Sequence, residues 1–375
     1  MSSAAAFDAP TKTTAAHITM ATRVSLTPLK ILMTAIIAPT SQMSVIVWQY
    51  GTLPPNNRIR NKRSLDMPLF LKVAFTLTAL FLLALPPSLS SARTDAPQNC
   101  ESRPFDQGRL WKVSREGSPP SYIFGTMHSK DPRILQLPGI IMQAFNASTI
   151  AVFETSLKDE DITKSQAMML LARDQSLKSK IGPARFTALA KMAAPYGMTP
   201  EVLDRVKIWA AAALISQPPP SRQGAAPHMN LLDKELEKSA RQSRKQIIAL
   251  ETNLEQLGIF DQVPEAVQLE YLDQSMIENQ TIDEELETIT SYYLSGNTGW
   301  IACNLEETLK TASAGLNRLM TDKLINERNR RMVDRMSAAL QKGNAFVGVG
   351  ALHLPGDAGI LSLLQARGFK VERKY

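Results

Sequence analysis

Two of the four histidines in this 375-residue chain sit behind the same spacer, Gly-x-x-His. The first is "GTMH", Gly125 to His128, and the second is "GALH", Gly350 to His353; each follows a short apolar run. Imidazole nitrogens with a carboxylate are the usual ligands of Zn, Mn or Fe, and two His with one acid leave positions open for water or substrate. Glu154 ends the apolar run "TIAVFE" and Glu251 ends "QIIALE". His128, Glu154 and His353 are therefore the candidate ligand set. The bland alternative is that each His ends a strand and hydrogen-bonds backbone, and that Glu154 and Glu251 are acids at helix N-termini. The paired spacing favours the ligand reading, because the specificity lies in the pair and not in either motif alone.

Two further positions have the same double character. Arg328 in "ERNRRM" either lies on a solvated charged helix face or reaches inward to orient a carboxylate or stabilise an oxyanion. Asp233 in "LLDKEL" is either an outer partner of a ligand His or the first acid of a helix. His228 falls in a Pro-rich loop and His17 near the N-terminus, so neither joins the set. No Gly-x-Ser-x-Gly, phosphate-binding loop, dinucleotide fingerprint or Cys-x-x-Cys competes.

Such residues, far apart in the chain, need elements that bring them together. "RLWKVS" and "SYIFGT" read as two strands around the turn "REGSPP"; "LPGIIMQAFNAS" has helical spacing and "TIAVFET" reads as a buried strand. Residues 157 to 216 are mostly helical patterns broken by prolines, "LLDKELEKSARQSRK" is an amphipathic helix, and "QIIALET" repeats the strand-then-Glu design. Helical patterns fill 253 to 342, with the likeliest break at Gly296 to Gly299; "NAFVGVGALH", "AGILSLLQARG" and "FKVER" close the chain as strand, helix, strand. The expected fold is α/β, a central sheet flanked by helices with a large, mostly helical insertion between the N- and C-terminal strand-helix units. His128, Glu154, Glu251 and His353 then lie at the C-terminal strand ends, the edge where open α/β sheets bind ligands, provided these strands run parallel.

Composition locates the protein. Residues 1 to 92 hold eight Lys/Arg against Asp8 and Asp66, which leaves +1 of the total +7 for the remainder. The body is near neutral, and a nucleic-acid partner loses its electrostatic basis. A start at Met67 makes residues 67 to 92 a secretory signal, with Lys72, an apolar core from Val73 to Leu85, a Pro-Pro break, then Ser90 and Ala92 at a cleavage position. Residues 1 to 66 are then an upstream extension outside the mature protein, the alternative being a cytoplasmic or membrane-associated extension, and residues 93 to 375 are the exported domain. The expected location is periplasmic or secreted, or inner-membrane anchored if the signal stays uncleaved, since the apolar core is short of a span. The only two cysteines, Cys100 and Cys303, both fall on the exported side, where a single disulfide is the natural reading.

The segments "LWKVSREGSPPSYIFGTMHSKDP", "VFET", "IIALETNLEQL", "ERNRRM" and "GVGALHLPGDAGILSLLQARGFKVER" together resemble the TraB/GumN family, which includes bacterial exported proteins and the animal Tiki proteins that cleave Wnt ligands. The resemblance implies a metal-dependent peptidase acting on a peptide or protein substrate, with Mn or Co as the divalent ion. It places the paired motifs on His128 and His353 and the acidic strand end on Glu154. It also matches Glu251, Arg328 and Asn329; on that basis Glu251 accepts the proton of a water and Arg328 stabilises the oxyanion. Asp233 matches an acidic position usually preceded by Gly-x, but Leu231 stands where that Gly would be. The alternative is a non-enzymatic exported protein that binds metal, haem or a partner through the same cleft.

Overall fold

The computed structural model describes residues 96–97, 100–156, 159–219 and 231–375. The proposed signal segment, the upstream extension, His17 and His228 lie outside the described residues. Strand β1 (Leu110–Ser114) turns through Gly117, at φ +79°, into β2 (Ser121–Thr126). Helix α1 (Gly139–Ala147) leads to β3 (Ile150–Phe153). A helical block that includes the wholly apolar α2 (Ile208–Ile215) follows, then α3 (Leu232–Gln242) and β4 (Gln246–Ala249). Helices α4 (Asn253–Asp261), α5 (Glu265–Glu278), α6 (Ile282–Leu294) and α7 (Thr298–Leu309) form the second half of the helical block. A π-helical segment (Arg318–Asn326) runs into α8 (Glu327–Lys342), and β5 (Ala345–Gly350), α9 (Ile360–Ala366) and β6 (Lys370–Arg373) complete the chain.

The sheet order is β4-β3-β5-β2-β1-β6. The four strands β4, β3, β5 and β2 run parallel, as the convergence of the candidate residues requires, while β1 is antiparallel to β2 and β6 to β1. Strand periodicity divides the core between two faces. Phe124, Phe346, Ala151 and Phe153 face α1 and the helical block, where Phe145 meets Phe346 edge to face at 5.2 Å. Their neighbours Ile123, Val347 and Val152 face Met332, Val333 and Met336 of α8 and Leu361 and Leu364 of α9. The two central strands β5 and β3 are buried at every position, whereas the edge strands β4 and β6 are half-exposed, which is how a parallel sheet covered on both faces reads in sequence.

The helical break expected around Gly296 to Gly299 falls at Gly296, where φ is +79°; the chain is helical again from Thr298. Gly299 serves close approach instead, since a Cβ there would stand 2.4 Å from the Cβ of Asp106. Helix α7 also carries Cys303, which forms a disulfide with Cys100, their Cα atoms 5.5 Å apart. Arg103 backs this joint with a two-pronged ion pair to Glu306, at 2.6 and 2.8 Å. The N-terminal segment is thereby fastened to the helical block.

Candidate active site

Strands β2 and β5 are hydrogen-bonded neighbours, with Gly125 beside Val349 and Thr126 beside Gly350, so the two Gly-x-x-His segments leave the sheet side by side. Gly125 permits this. A Cβ at Gly125 would lie 2.9 Å from Leu354 Cδ1 and 3.1 Å from Ala351 Cα, so a side chain in the first motif would press on the second. On the other side of β5, Phe153 of β3 lies beside Gly348 and Ala249 of β4. The pairing continues one step further, with the N–H of Glu251 donating to the carbonyl of Glu154 at 2.7 Å. All four polar strand ends therefore meet at one edge.

Arg328 closes the arrangement from α8. Its side chain is fully buried, and Nη2 donates to Glu154 Oε2 and Nε to Glu251 Oε2, each at 2.8 Å, while Nη1 donates to the carbonyl of Leu324 in the π segment at 3.3 Å. Of the reading that "ERNRRM" is a solvated run, only part holds: Arg330 is exposed, but Arg328 and Asn329 point into the protein with Met332 and Val333. Glu154 Oε1 accepts the Gly350 N–H at 2.5 Å. Glu251 Oε1 accepts from Arg331, through Nε at 2.9 Å and again through Nη2, and Oε2 also accepts from Gln256 at 3.2 Å. The inner cluster thus holds two carboxylates and two guanidiniums and is balanced in charge.

The two histidines differ at Nδ1. In His353 this atom meets Asn329 Oδ1 at 2.6 Å, leaving Nε2 facing Arg328 Nη1 at 3.3 Å and Glu154 Oε1 at 3.9 Å. His128 turns Nδ1 to Asp233 Oδ2 at 3.6 Å, while Asp233 Oδ1 accepts the Thr126 hydroxyl at 2.6 Å. Asp233 thus faces a site histidine, beyond hydrogen-bond distance. The first turn of α3 carries it there even with Leu231 in place of the usual glycine, because Leu231 sits at φ −60°, ψ 149°, an ordinary extended conformation for any residue.

Electrostatics follow from burial and these partners. Burial alone would raise the Glu154 carboxyl, but Arg328, His353, His128 and the Gly350 N–H outweigh it and hold it near 2. Burial, reinforced by the Arg328 charge, pushes His353 down to about 4, so its imidazole is neutral at neutral pH. The two carboxylates keep Arg328 above its ordinary value against the effect of burial.

The donor chemistry fits a divalent ion. Each imidazole has Nδ1 turned to an oxygen, which leaves Nε2 as the nitrogen able to accept, and His128 Nδ1 and Asp233 Oδ2 are buried without a hydrogen-bond partner. The spacing is not that of a closed site: among the described residues no group of three or more His, Cys, Asp or Glu stands close enough to hold an ion, and Arg328 holds Glu154 and faces His353.

The sequence model of the TraB/PrgY/gumN family matches residues 109–373. The chain belongs to this family. Among curated proteins it is 25% identical to Metalloprotease TIKI1 of Homo sapiens, over 77% of this chain and 67% of that protein, and 23% identical to Metalloprotease TIKI1 of Danio rerio, over 81% and 69%. It is also 21% identical to the uncharacterized protein YbaP of Escherichia coli (strain K12), over 68% of this chain and 90% of that one. No solved structure matches it. Within this TraB/PrgY/gumN member, sequence reasoning left three site residues without a role: Asn329, matched by the resemblance alone, Arg331, and Gln256. The signal for Arg331 was its spacing of three from Arg328, one helical turn on the same face. Asn329 had only the family match, because its partner His353 lies 24 residues away across a strand.

Proposed function

We propose that this protein is a metal-dependent peptidase acting outside the cytoplasm. The observation that carries the reading is the side-by-side exit of the two Gly-x-x-His segments from β2 and β5, with Glu154 beside them, in a family that contains proteins named metalloproteases. His128 and His353 through Nε2, with Glu154, would hold the ion; the identity of the metal is left to the test, with Mn or Co the family expectation and Zn or Fe the others. When bound, such an ion lowers the pKa of a water and polarises a scissile carbonyl. That chemistry suits this site, because the acceptors at hand, Glu154 near 2 and His353 near 4, are weak bases at neutral pH. Arg328 supplies positive charge for a developing oxyanion. Glu251 aims Arg328; both of its oxygens are on guanidinium groups, so serving as the base for water would require it to exchange one of them. The Cys100–Cys303 disulfide supports an oxidising, extracytoplasmic location.

The test is metal analysis of stripped and reloaded protein with Mn, Co, Zn and Fe, beside His128→Ala and His353→Ala, with hydrolysis of a peptide library by each sample. Stoichiometric binding and cleavage lost in both variants, with the fold retained, is the expected result. Metal binding without cleavage favours a non-enzymatic binding protein, and a folded protein that takes up no metal ends the metallopeptidase reading.

A further inference from the structure

The buried guanidinium of Arg328 meets two of the three proposed metal ligands at once, and the positions of the hydrogens decide what it takes from them. Asn329 Nδ2 donates to the carbonyl of Ala358 at 2.9 Å, which turns Asn329 Oδ1, an acceptor, toward His353 Nδ1 at 2.6 Å. Nδ1 is therefore the donor nitrogen of His353, and the lone pair lies on Nε2. That lone pair faces Arg328 Nη1 at 3.3 Å, while Nη2 donates to Glu154 Oε2 at 2.8 Å. The atoms through which His353 and Glu154 would hold an ion are thus both engaged by one cation. The other hydrogen of Nη1 goes to the Leu324 carbonyl in the π segment at 3.3 Å, and Nε to Glu251 Oε2 at 2.8 Å.

Arg328 and a divalent ion exclude each other at these atoms. A lone pair given to Nη1 is not open to a metal. A second cation beside a fully buried guanidinium, in a cluster where two carboxylates already balance two guanidiniums, also meets a repulsion that solvent screens little. We infer that Arg328 is a built-in competitor for the metal site, an autoinhibitory contact that holds His353 Nε2 and Glu154 Oε2 until a divalent ion displaces both Nη groups. The inference rests on the peptidase reading for the ion and its ligands. Withdrawal leaves Nε on Glu251 and frees the Nη groups to face an oxyanion, so one residue serves the site in two positions. The segment that must yield is the π-helical stretch ending at Asn326, whose Leu324 carbonyl holds Nη1; such turns occur frequently at functional sites.

The experiment measures Mn²⁺ affinity of the stripped protein from the electron paramagnetic resonance signal of free Mn²⁺, for the wild type, Arg328→Gln and Arg331→Gln. Arg328→Gln is expected to bind Mn²⁺ about tenfold more tightly than the wild type. Arg331→Gln removes the same charge from Glu251 while touching neither ligand, so its gain should stay within about twofold. Unchanged or weaker binding by Arg328→Gln overturns the inference, and so does an equal gain in Arg331→Gln, which would assign the effect to net charge and not to the contact. If circular dichroism shows Arg328→Gln unfolded, Arg328→Lys takes its place. An ammonium keeps the charge but lacks the fork that reaches both atoms, so about a threefold gain is expected, and an unchanged affinity counts against the contact. Peptide cleavage is scored in the same samples. Tighter Mn²⁺ binding by Arg328→Gln with no cleavage by any sample sinks the peptidase and keeps the competitor; cleavage by the wild type with a metal affinity indifferent to Arg328 does the reverse.

Discussion

At the scale of single residues the site is a charge balance with little redundancy. Among the described residues, Arg328 is the only group that touches Glu154, Glu251 and His353 together. Arg328→Met leaves Glu154 with one backbone donor and strands negative charge in the interior, so we expect a loss of about 3–5 kcal/mol in urea unfolding, far more than for the exposed neighbour Arg330→Met. The histidine and the carboxylate also set a pH dependence. His353 is pushed from 6.5 to about 4, so on acidification the unfolded chain takes the proton first; stability is full above about 6.5 and falls until pH reaches about 4. Glu154 is depressed from 4.5 to about 2, so its contribution is present above 4.5 and is lost as pH falls through 2. Both groups make acid destabilising. His353→Gln should flatten the upper part of that curve, between about pH 6.5 and 4, and leave the lower part, which a series of urea midpoints against pH will show.

Elements hold these residues through two close joints. Gly125 lies against Ala351 and Leu354, and Gly125→Ala should cost about 1–3 kcal/mol and displace the second histidine segment, visible as changed imidazole NMR signals of His353 as well as a lower melting temperature. The disulfide joins residues 203 apart, and reduction, or Cys303→Ser, should cost about 2–4 kcal/mol in denaturant unfolding. An unchanged midpoint on reduction would mean the unfolded chain gains little freedom from release. The strands at this edge were legible in the sequence, because "IAVF", "IIAL" and "FVGV" are apolar runs that end at Glu154, Glu251 and Gly350, and a sheet covered on both faces leaves that trace. The helices were legible as helices, but not which side of "ERNRRM" turns inward. That depends on the π segment before α8 and on carboxylates 77 and 174 residues away in sequence.

For the whole molecule, the pairing order matters more than the count of strands. Strand β5, assigned to residues 345–350, lies between β2 and β3, which are more than 190 residues earlier, so the middle of the sheet is the last parallel strand to be synthesised. A version ending before Ala345 should therefore lack more than the second histidine. It would expose the facing edges of β2 and β3, and we expect it to be aggregation-prone and protease-sensitive, as limited proteolysis of the truncated and full chains would reveal. Contacts of such long sequence separation also make for slow folding. During synthesis the two histidine segments stay apart until β5 has emerged and inserted between β2 and β3, so on the proposed reading the nascent chain carries no assembled centre before then.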